Sequence, residues 1–503
     1  MAMEVKVFPE QITIENFKSI KRITLKLKPG INLLVGPNRA GKTNILEAIY
    51  FLSKALSREE LLKIPYAPHL PQYWSPEDIF FMKNVNTSIR FEILFRIVTR
   101  YKDKYVKHYV GIDVAFALAP NRSSIEPAQL VLDFKTLKFV FNKEGVDVLI
   151  NRNYLDMYLQ ALEELNNKEI SSTLLQQIKS IKSKLLELKE RAKEVKDEFL
   201  LLYSIPIEQE FTKFINSLLL TDFAILFRIY HAKQLKDDSK ILYLLVLRPL
   251  IAINRHRIVI PLIILHKSSD VAEFKGCSIT FPLFDEDFML YEYIINIIKR
   301  TLRALENVIL LKHPDVGAIS EPQPFGSGER LDVRARNLPQ ILYKLAAERR
   351  INTIEKLLRD IFGDVSIEPR SAANRVFFVV REGSIELPPP NIADGVIKVL
   401  AIATAVELNP SILLIDEIEN SLHVEAIQKI FDFLNSLEIP VLVATHSPAV
   451  IDLVDLDRVI IVSRGLDGAT NVEYIEDVEG VRKRLIELGV SYSEYILYSK
   501  TVK

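Results

Sequence analysis

Residues 36–43 read GPNRAGKT and match the pattern G-x-x-x-x-G-K-[ST]. The backbone N–H groups of such a loop surround a β-phosphate, and the helix that follows adds its positive N-terminal end. Lys42 would neutralise β- and γ-phosphate oxygens, and the hydroxyl of Thr43 can ligate Mg²⁺. The loop therefore predicts a nucleoside triphosphate site. Its assigned residues are Gly36, Pro37, Asn38, Arg39, Ala40, Gly41, Lys42, Thr43 and Asn44.

The segments on either side of this loop support the prediction. The apolar run INLLV from Ile31 is typical of a short buried strand, and TNILEAIYFLSKAL has helical apolar spacing. A chance glycine turn is the alternative, and it does not require a strand before the turn and a helix after it.

A second set of polar residues follows an apolar strand far along the chain. Residues 411–415 are followed by Asp416 and Glu417, where the carboxyl end of a strand places ligand-binding groups in an open α/β sheet. Asp416 is expected to hold Mg²⁺ through water, and Glu417 to polarise the attacking water. An ordinary surface turn is the alternative for an isolated motif.

One strand later, PVLVATHSP ends in His446. A lone histidine is more often a satisfied core residue, but the repeated order of strand and polar end favours a γ-phosphate sensor here. More than 300 residues separate the phosphate-binding loop from this region. The sequence therefore predicts one sheet assembled from both ends of the chain.

This split layout resembles the SMC and RecF-like branch of the ABC ATPases over residues 1–100 and 315–465. ITIENFKSIKRITLKLKPGINLLVGPNRAGKTNILEAI resembles the opening strand pair and Walker A, and ILLIDEIENSLH resembles Walker B and the D-loop with Asn420 and Ser421. A further segment, ERLDVRARNLPQILYKL, is similar to the one with which the chain of RecF-like ATPases returns to the ATPase domain, or head. The resemblance implies ATP and Mg²⁺ as ligands, a switch role for His446, and two heads that enclose two ATP molecules.

Two positions depart from the family pattern. The signature segment, in NIADGVIKVLAIATA, consists of Ala393, Asp394 and Gly395, with alanine where the family usually has serine. Without the hydroxyl, backbone N–H groups and the start of the helix would bind the γ-phosphate in the partner subunit, and slow hydrolysis is expected. Arg39 replaces a small residue. Its side chain either adds charge near phosphate or the dimer partner, or is solvated.

The middle of the chain predicts a hairpin and then a heptad helix. KTLKFVFNKEGVDVLINR alternates around a turn at residues 142–145. After the hairpin, apolar residues at the a and d positions of a heptad repeat predict a helix roughly 45–50 Å long. This helix either projects as a short stub or belongs to a helical bundle that packs on the head. Pro206 would end it, and a return helix from Ile207 would pair with it. The absence of a C-x-x-C motif at the turn excludes a zinc-hook tip. The a and d residues are Leu174, Ile178, Ile181, Leu185, Leu188, Ala192, Val195, Phe199 and Leu202.

Composition limits the class of protein. Among 503 residues, Lys plus Arg and Asp plus Glu each total 65, so net charge does not indicate a nucleic-acid partner. The single cysteine, Cys277, fits a reducing compartment, and the N-terminus lacks the apolar region of an export signal. A cytoplasmic protein without a membrane span is expected. The short segment after Arg464 leads us to expect no TOPRIM nuclease domain there.

The combined expectation is an α/β fold: a split ABC-type P-loop ATPase head with a mixed sheet and flanking helices, plus an inserted helical or short coiled-coil region. Residues 1–100 and 315–503 would form the head, and residues 101–314 the insertion. The expected function is an ATPase whose homodimerisation on ATP gates DNA binding. The alternative is an ATPase scaffold that holds an effector protein of a defence or signalling complex. A transporter-type subunit fits least well.

Overall fold

The structure is a computed structural model. It describes residues 4–56, 75–101, 104–120, 125–133, 135, 137–142, 145–166, 172–195, 197–206, 252–254, 257–259, 265–268, 271–274, 277–282, 300–301, 303–326, 330–491 and 493–494. Within these ranges, no helix combines the length and the apolarity that crossing a bilayer requires.

A six-stranded sheet, which we call the parallel sheet, has the order β15-β20-β21-β3-β22-β23. All neighbours are parallel except β23, which is antiparallel to β22. Strand β3 from the N-terminal part lies between two strands from the C-terminal part, which confirms the predicted sheet built from both ends. The strands are β3 Gly30–Val35, β15 Val308–Leu311, β20 Ile412–Asp416, β21 Pro440–Thr445, β22 Val459–Arg464 and β23 Thr470–Tyr474.

A second sheet, which we call the antiparallel sheet, has eight strands in the order β2-β1-β4-β5-β6-β7-β8-β9. It contains the predicted opening pair β1–β2 and the predicted hairpin β7–β8. Along β4, the buried residues alternate with less buried ones, as expected for a sheet with one packed face. The strands are β1 Glu4–Phe17, β2 Ile20–Lys26, β4 Ile89–Tyr101, β5 Lys104–Leu118, β6 Ile125–Asp133, β7 Leu137–Asn142, β8 Gly145–Asn151 and β9 Phe199–Pro206.

Helices cover the parallel sheet and divide the interior into two cores. On β3, Leu34 belongs to the core that contains helix α1 and the antiparallel sheet, whereas Leu33 and Val35 belong to the core beneath α5, α6, α7 and α8. The helices are α1 Lys42–Leu56, α2 Leu155–Asn166, α3 Ser172–Arg191, α4 Val316–Ser320, α5 Leu338–Ala347, α6 Asn352–Phe362, α7 Asp394–Glu407, α8 Val424–Asn435, α9 Pro448–Ile451 and α10 Val478–Leu488.

Three smaller sheets complete the described strands. β10 pairs with β11, β13 lies between β12 and β14, and β18 pairs with β16, β17 and β19. Their bounds are β10 Ala252–Asn254, β11 Arg257–Val259, β12 Leu265–Ser268, β13 Val271–Phe274, β14 Cys277–Pro282, β16 Gln323–Pro324, β17 Val365–Ala372, β18 Arg375–Glu382 and β19 Ile385–Leu387.

The predicted heptad helix is wrong in its last third. Helix α3 ends at Arg191, and Phe199 and Leu202 lie in strand β9, which pairs with β8. The apolar run FLLLY fits a strand as well as a helix, and the free edge of β8 supplies backbone hydrogen bonds that a longer helix could not use.

Helix α3 pairs with the helix that precedes it. Its ion pairs Lys182–Glu163 (3.0 Å) and Lys189–Asp156 (2.6 Å) join it antiparallel to the preceding helix α2. Leu185 belongs to the core that contains the antiparallel sheet, so this part of the helix packs against that sheet instead of projecting from it. The predicted return helix from Ile207 lies outside the described residues.

Candidate functional site

The loop at residues 36–41 connects β3 to α1 at the carboxyl edge of the parallel sheet. The first N–H groups of α1 have no acceptor one turn earlier in the helix and are directed towards this loop. The Lys42 ammonium lies over the loop and donates to the carbonyl oxygens of Gly36 (2.7 Å) and Pro37 (3.1 Å). Burial lowers the pKa of Lys42 against the attraction of Asp416 and its neighbouring carboxylates. The geometry favours an anionic ligand at this point.

Both glycines of the loop are required by close backbone packing. A Cβ at Gly36 would lie 2.0 Å from the carbonyl oxygen of Val462, and one at Gly41 would lie 2.1 Å from Thr470 Oγ1. Gly41 also has a φ of +109°, which other residues rarely adopt. The loop therefore rests directly on strands β22 and β23.

Two hydroxyl residues that the sequence did not indicate brace the loop. Thr470 Oγ1 donates to the carbonyl oxygen of Ala40 (3.0 Å), and Ser19 Oγ lies 2.7 Å from the Thr470 hydroxyl. Asn44 Nδ2 donates to Ser19 Oγ (2.7 Å). Ser19 lies in the turn between β1 and β2. The bracing could not be found from spacing because Ser19 and Thr470 are at opposite ends of the chain.

Thr43 and Asp416 meet across the site. The Thr43 hydroxyl donates to Asp416 Oδ2 at 3.0 Å. Hydroxyl and carboxylate oxygens are the ligand types that Mg²⁺ prefers, so this pair fits the predicted ion, which Thr43 would ligate and Asp416 would hold through water. Burial raises the pKa of Asp416, and the hydrogen bond from Thr43 opposes that rise.

Glu417 follows β20 with its side chain exposed and its backbone in the left-handed region (φ 51°). Its N–H donates to the carbonyl of Ala444 (3.0 Å), and its Oε2 accepts from Asn420 Nδ2 (2.7 Å). The structure thus places the predicted base and one predicted D-loop residue in direct contact. Ser421, the other D-loop residue, also has a positive φ of 64°.

His446 follows β21 at the same edge of the sheet. Its backbone N–H and its Nδ1 lie 3.0 Å and 3.1 Å from Glu419 Oε1. Glu419 was not among the predicted site residues, although it is the third carboxylate of the run DEIE. The contact orients the imidazole, whose side chain is about half exposed.

The signature segment forms the start of helix α7. Ala393 is the N-cap residue and makes no side-chain capping hydrogen bond, and both Ala393 and Asp394 are exposed. Gly395 packs against the D-loop, since a Cβ there would lie 2.8 Å from the carbonyl oxygen of Ser421. The segment thus contacts the D-loop of its own chain. Arg39 is exposed with a φ of 67°, which agrees with the solvated interpretation of its side chain.

A partly buried ion cluster supports α1 behind the loop. Glu47 lies 2.5 Å from both Lys18 and Lys312. Burial raises the pKa of Glu47, but the two lysines outweigh that effect and the net pKa is lowered. A pocket of 690 Å³ opens beside this cluster and is lined by Thr43, Asn44 and residues of the β22–β23 turn. Its position next to the loop suits the nucleoside part of a nucleotide.

Comparison with known protein families identifies the fold group. The family described as "AAA ATPase domain" matches residues 10–265, half of the chain. The chain belongs to this family. A second family, described as "AAA domain, putative AbiEii toxin, Type IV TA system", matches residues 293–452. The two matches together cover both parts of the split head.

Curated relatives are DNA replication and repair proteins RecF. The protein from Clostridium perfringens is 25% identical over 214 residues, 40% of this chain and 51% of the relative. Those from Roseiflexus castenholzii and Moorella thermoacetica are 45% and 50% identical over about 50 residues, and each match covers 13% of the relative. The chain therefore spans between an eighth and about half of these relatives. The matches confirm the resemblance to SMC/RecF-like ABC-type ATPases.

Among solved structures, SMC head domains align along the chain with low scores. The head domain of Pyrococcus furiosus Smc, bound to the C-terminal domain of ScpA, covers 96% of this chain and 100% of its own, with 14% identity and a TM-score of 0.41. The head domain of Thermotoga maritima SMC covers 93% and 99%, with 10% identity and a TM-score of 0.34.

Proposed function

We propose that this chain is an SMC/RecF-like ATPase in which ATP joins two heads, and that head dimerisation gates the binding of DNA. The proposal rests on the hydrogen bond between Thr43 and Asp416, which lies near the Lys42 ammonium at the edge where β3 and β20 end. This arrangement supplies a cation for phosphates and oxygen ligands for Mg²⁺ in one place.

Each residue of the site has a distinct role in this proposal. Lys42 binds the β- and γ-phosphates, and Thr43 with Asp416 would hold Mg²⁺, which supplies charge neutralisation on the phosphate oxygens. Glu417 accepts a proton from the attacking water while Asn420 orients its carboxylate. His446, oriented by Glu419, contacts the γ-phosphate.

The signature segment acts on the nucleotide of the partner subunit. Ala393 and Asp394 are exposed at the start of α7, where unpaired N–H groups and the helix dipole favour an anion. Ala393 contributes no hydroxyl, so backbone donors provide this contact and hydrolysis is slow. We place the homodimer in the cytoplasm, associated with the nucleoid when DNA is bound.

The variant Glu417→Gln tests the ATPase and dimer parts of the proposal. The amide keeps the shape of the side chain but loses the base, so turnover should fall at least about 100-fold with ATP affinity retained. Light scattering with ATP should show a trapped dimer. The matched control is Glu438→Gln, an exposed carboxylate before β21, at the opposite end of the parallel sheet from Glu417, which should behave as wild type. A Glu417→Gln protein that stays monomeric while the wild type dimerises contradicts the trans-site model.

DNA binding is tested by a salt series on duplex DNA, with and without ATP. Phosphate contacts make binding weaken steeply with salt, and each lost contact lowers the slope by about one. On α3, Lys182 and Lys189 are already paired with carboxylates of α2. A variant with Lys179, Lys182, Lys184 and Lys189 changed to glutamate therefore probes a surface that is partly neutralised. DNA binding that is unchanged in this variant would indicate that the DNA-binding surface lies on the heads and not on α3.

The second candidate function is a scaffold that holds a separate effector protein. The observation that favours it is the match of residues 293–452 to a family whose description names a toxin and a toxin–antitoxin system. Absence of duplex binding at low salt in both nucleotide states would support the scaffold. ATP-strengthened binding would support the DNA clamp.

A further inference from the structure

Lys398 is the one charged residue in the buried stretch 396–405 of helix α7. Only 3% of its surface is exposed. An ammonium group is costly to bury unless it has a specific polar partner. Its presence in the otherwise apolar run VIKVLAIATA therefore requires an explanation that packing alone does not give.

The partner of this lysine is the backbone of the proposed base. Lys398 Nζ donates to the carbonyl oxygen of Glu417 at 2.6 Å. Glu417 has a φ of 51°, a left-handed conformation that is unfavourable for a residue with a Cβ. The N–H of the same residue is held by Ala444 at 3.0 Å. The strained peptide is thus fixed on both sides, once from β21 and once from α7.

A second contact joins the same helix to the same loop. Gly395, in the first turn of α7, lies so close to the carbonyl of Ser421 that a Cβ would approach it to 2.8 Å. Lys398 and Gly395 are three residues apart and therefore lie on one face of the helix. This face contacts the loop 417–421 at both its beginning and its end.

We propose that Lys398 is a positioning residue that fixes the Glu417 backbone from the signature helix and links the segment engaging the partner's nucleotide to the base of its own site. The inference rests on the proposed ATPase function. Signature engagement at one ATP site then sets the geometry of the base at the other site of the dimer, through one hydrogen bond and one backbone contact.

The test uses Lys398→Met in the full-length protein, because methionine keeps the apolar length and removes the donor. We expect kcat to fall about 10–100-fold, with KM and ATP affinity within about threefold of wild type, as expected when a catalytic group is displaced slightly. Lys429→Met is the matched control, since Lys429 also donates to a backbone carbonyl, that of Asp360 on α6, away from the site. It should leave kcat unchanged.

A double variant separates positioning from a general structural effect. If Lys398 acts through Glu417, adding Lys398→Met to Glu417→Gln should not reduce turnover further, because effects of coupled residues are not additive. Lys398→Arg, which keeps a charged donor, should recover part of kcat. If Lys398→Met does not fold, the same comparisons are made with Lys398→Gln, whose side chain is a neutral donor and which should retain more activity than Lys398→Ala.

The outcomes distinguish this inference from the proposed function. A wild-type protein that binds ATP but never hydrolyses it contradicts the proposed function. Wild-type hydrolysis with an equal kcat in Lys398→Met overturns the positioning role alone. A parallel loss of ATP affinity and kcat, or a full additional loss in the double variant, also overturns it.

Discussion

The parallel and antiparallel sheets bury their side chains in different patterns. Strands β3, β20 and β21 are buried along their whole length, and their predicted site residues lie at or just after their carboxyl ends. Strand β4 alternates: Phe91 and Phe95 are buried, whereas Arg90 and Arg96 form ion pairs on the other face. Chemistry is thus concentrated at one edge of the first sheet, and the second sheet supplies packing and a charged surface.

The largest expected effect tests the site at the carboxyl edge of the parallel sheet. Lys42→Ala removes the cation from the phosphate-binding loop and should abolish ATP binding in calorimetry, because the N–H groups would hold the phosphate charge alone. Lys28→Ala is the control: this lysine precedes the other end of β3 and pairs with Asp457 on the surface. Wild-type affinity for ATP in Lys42→Ala would contradict the assignment of the loop as a phosphate-binding site.

This edge was largely predictable from sequence, for a physical reason. A buried parallel strand followed by Asp416 or His446 is a local pattern, and the end of the strand fixes where the side chain lies. Glu419, Lys398, Ser19 and Thr470 were not predicted. Their contacts depend on the packing of distant segments, although a single lysine in the apolar run of α7 was a signal for Lys398.

The antiparallel sheet was less predictable. The pair β1–β2 and the hairpin β7–β8 are each joined by a short turn; the family resemblance indicated the first, and local alternation indicated the second. The pairing of β9 with β8 joins segments separated by two helices, and the run FLLLY carries no period that distinguishes strand from helix. The heptad pattern therefore predicted too long a helix.

The next effect concerns the packing of the antiparallel sheet. The Phe91 ring lies 6.2 Å from the rings of Phe51 on α1 and Phe116 on β5. Phe91→Ala should lower the free energy of unfolding by about 3–5 kcal/mol in urea, because a buried ring is replaced by a cavity. Leu201→Ala, at a half-exposed position of β9, should change it little. The ATP affinity of folded Phe91→Ala should equal that of wild type. A loss of ATP affinity without a loss of stability would contradict the assignment of ligand binding to the parallel sheet and of packing to the antiparallel sheet.

A smaller effect should appear as a pH dependence of stability. Burial lowers the pKa of Lys398 from 10.5 to about 8, against the attraction of Glu419, Glu417 and Asp416. Between these two values the unfolded chain binds more protons than the folded one, so this lysine makes the protein more stable as pH rises. The gain is about 3 kcal/mol. Urea unfolding below pH 8 and near pH 10.5 should show it in wild type and not in Lys398→Met; equal slopes would contradict the depressed pKa.

The smallest effect separates the ion cluster behind the loop from an ion pair on the surface. Glu47 is about one quarter exposed and contacts two lysines, whereas Lys6 and Glu438 are about half and three quarters exposed. Glu47→Gln leaves Lys18 and Lys312 partly buried beside a neutral group, so the free energy of unfolding should fall by about 1–3 kcal/mol at neutral pH. Glu438→Gln should cause no measurable change, because exposed pairs contribute little.

The pH dependence of that difference identifies its cause. The pKa of Glu47 is lowered from 4.5, so its ionised form stabilises the fold above pH 4.5, and this contribution is lost as pH falls through the folded-state pKa. The stability difference between wild type and Glu47→Gln should therefore be full at neutral pH and shrink below pH 4.5. A difference that stays constant in acid would mean that the shape of the side chain, and not its charge, supports α1 beside the phosphate-binding loop.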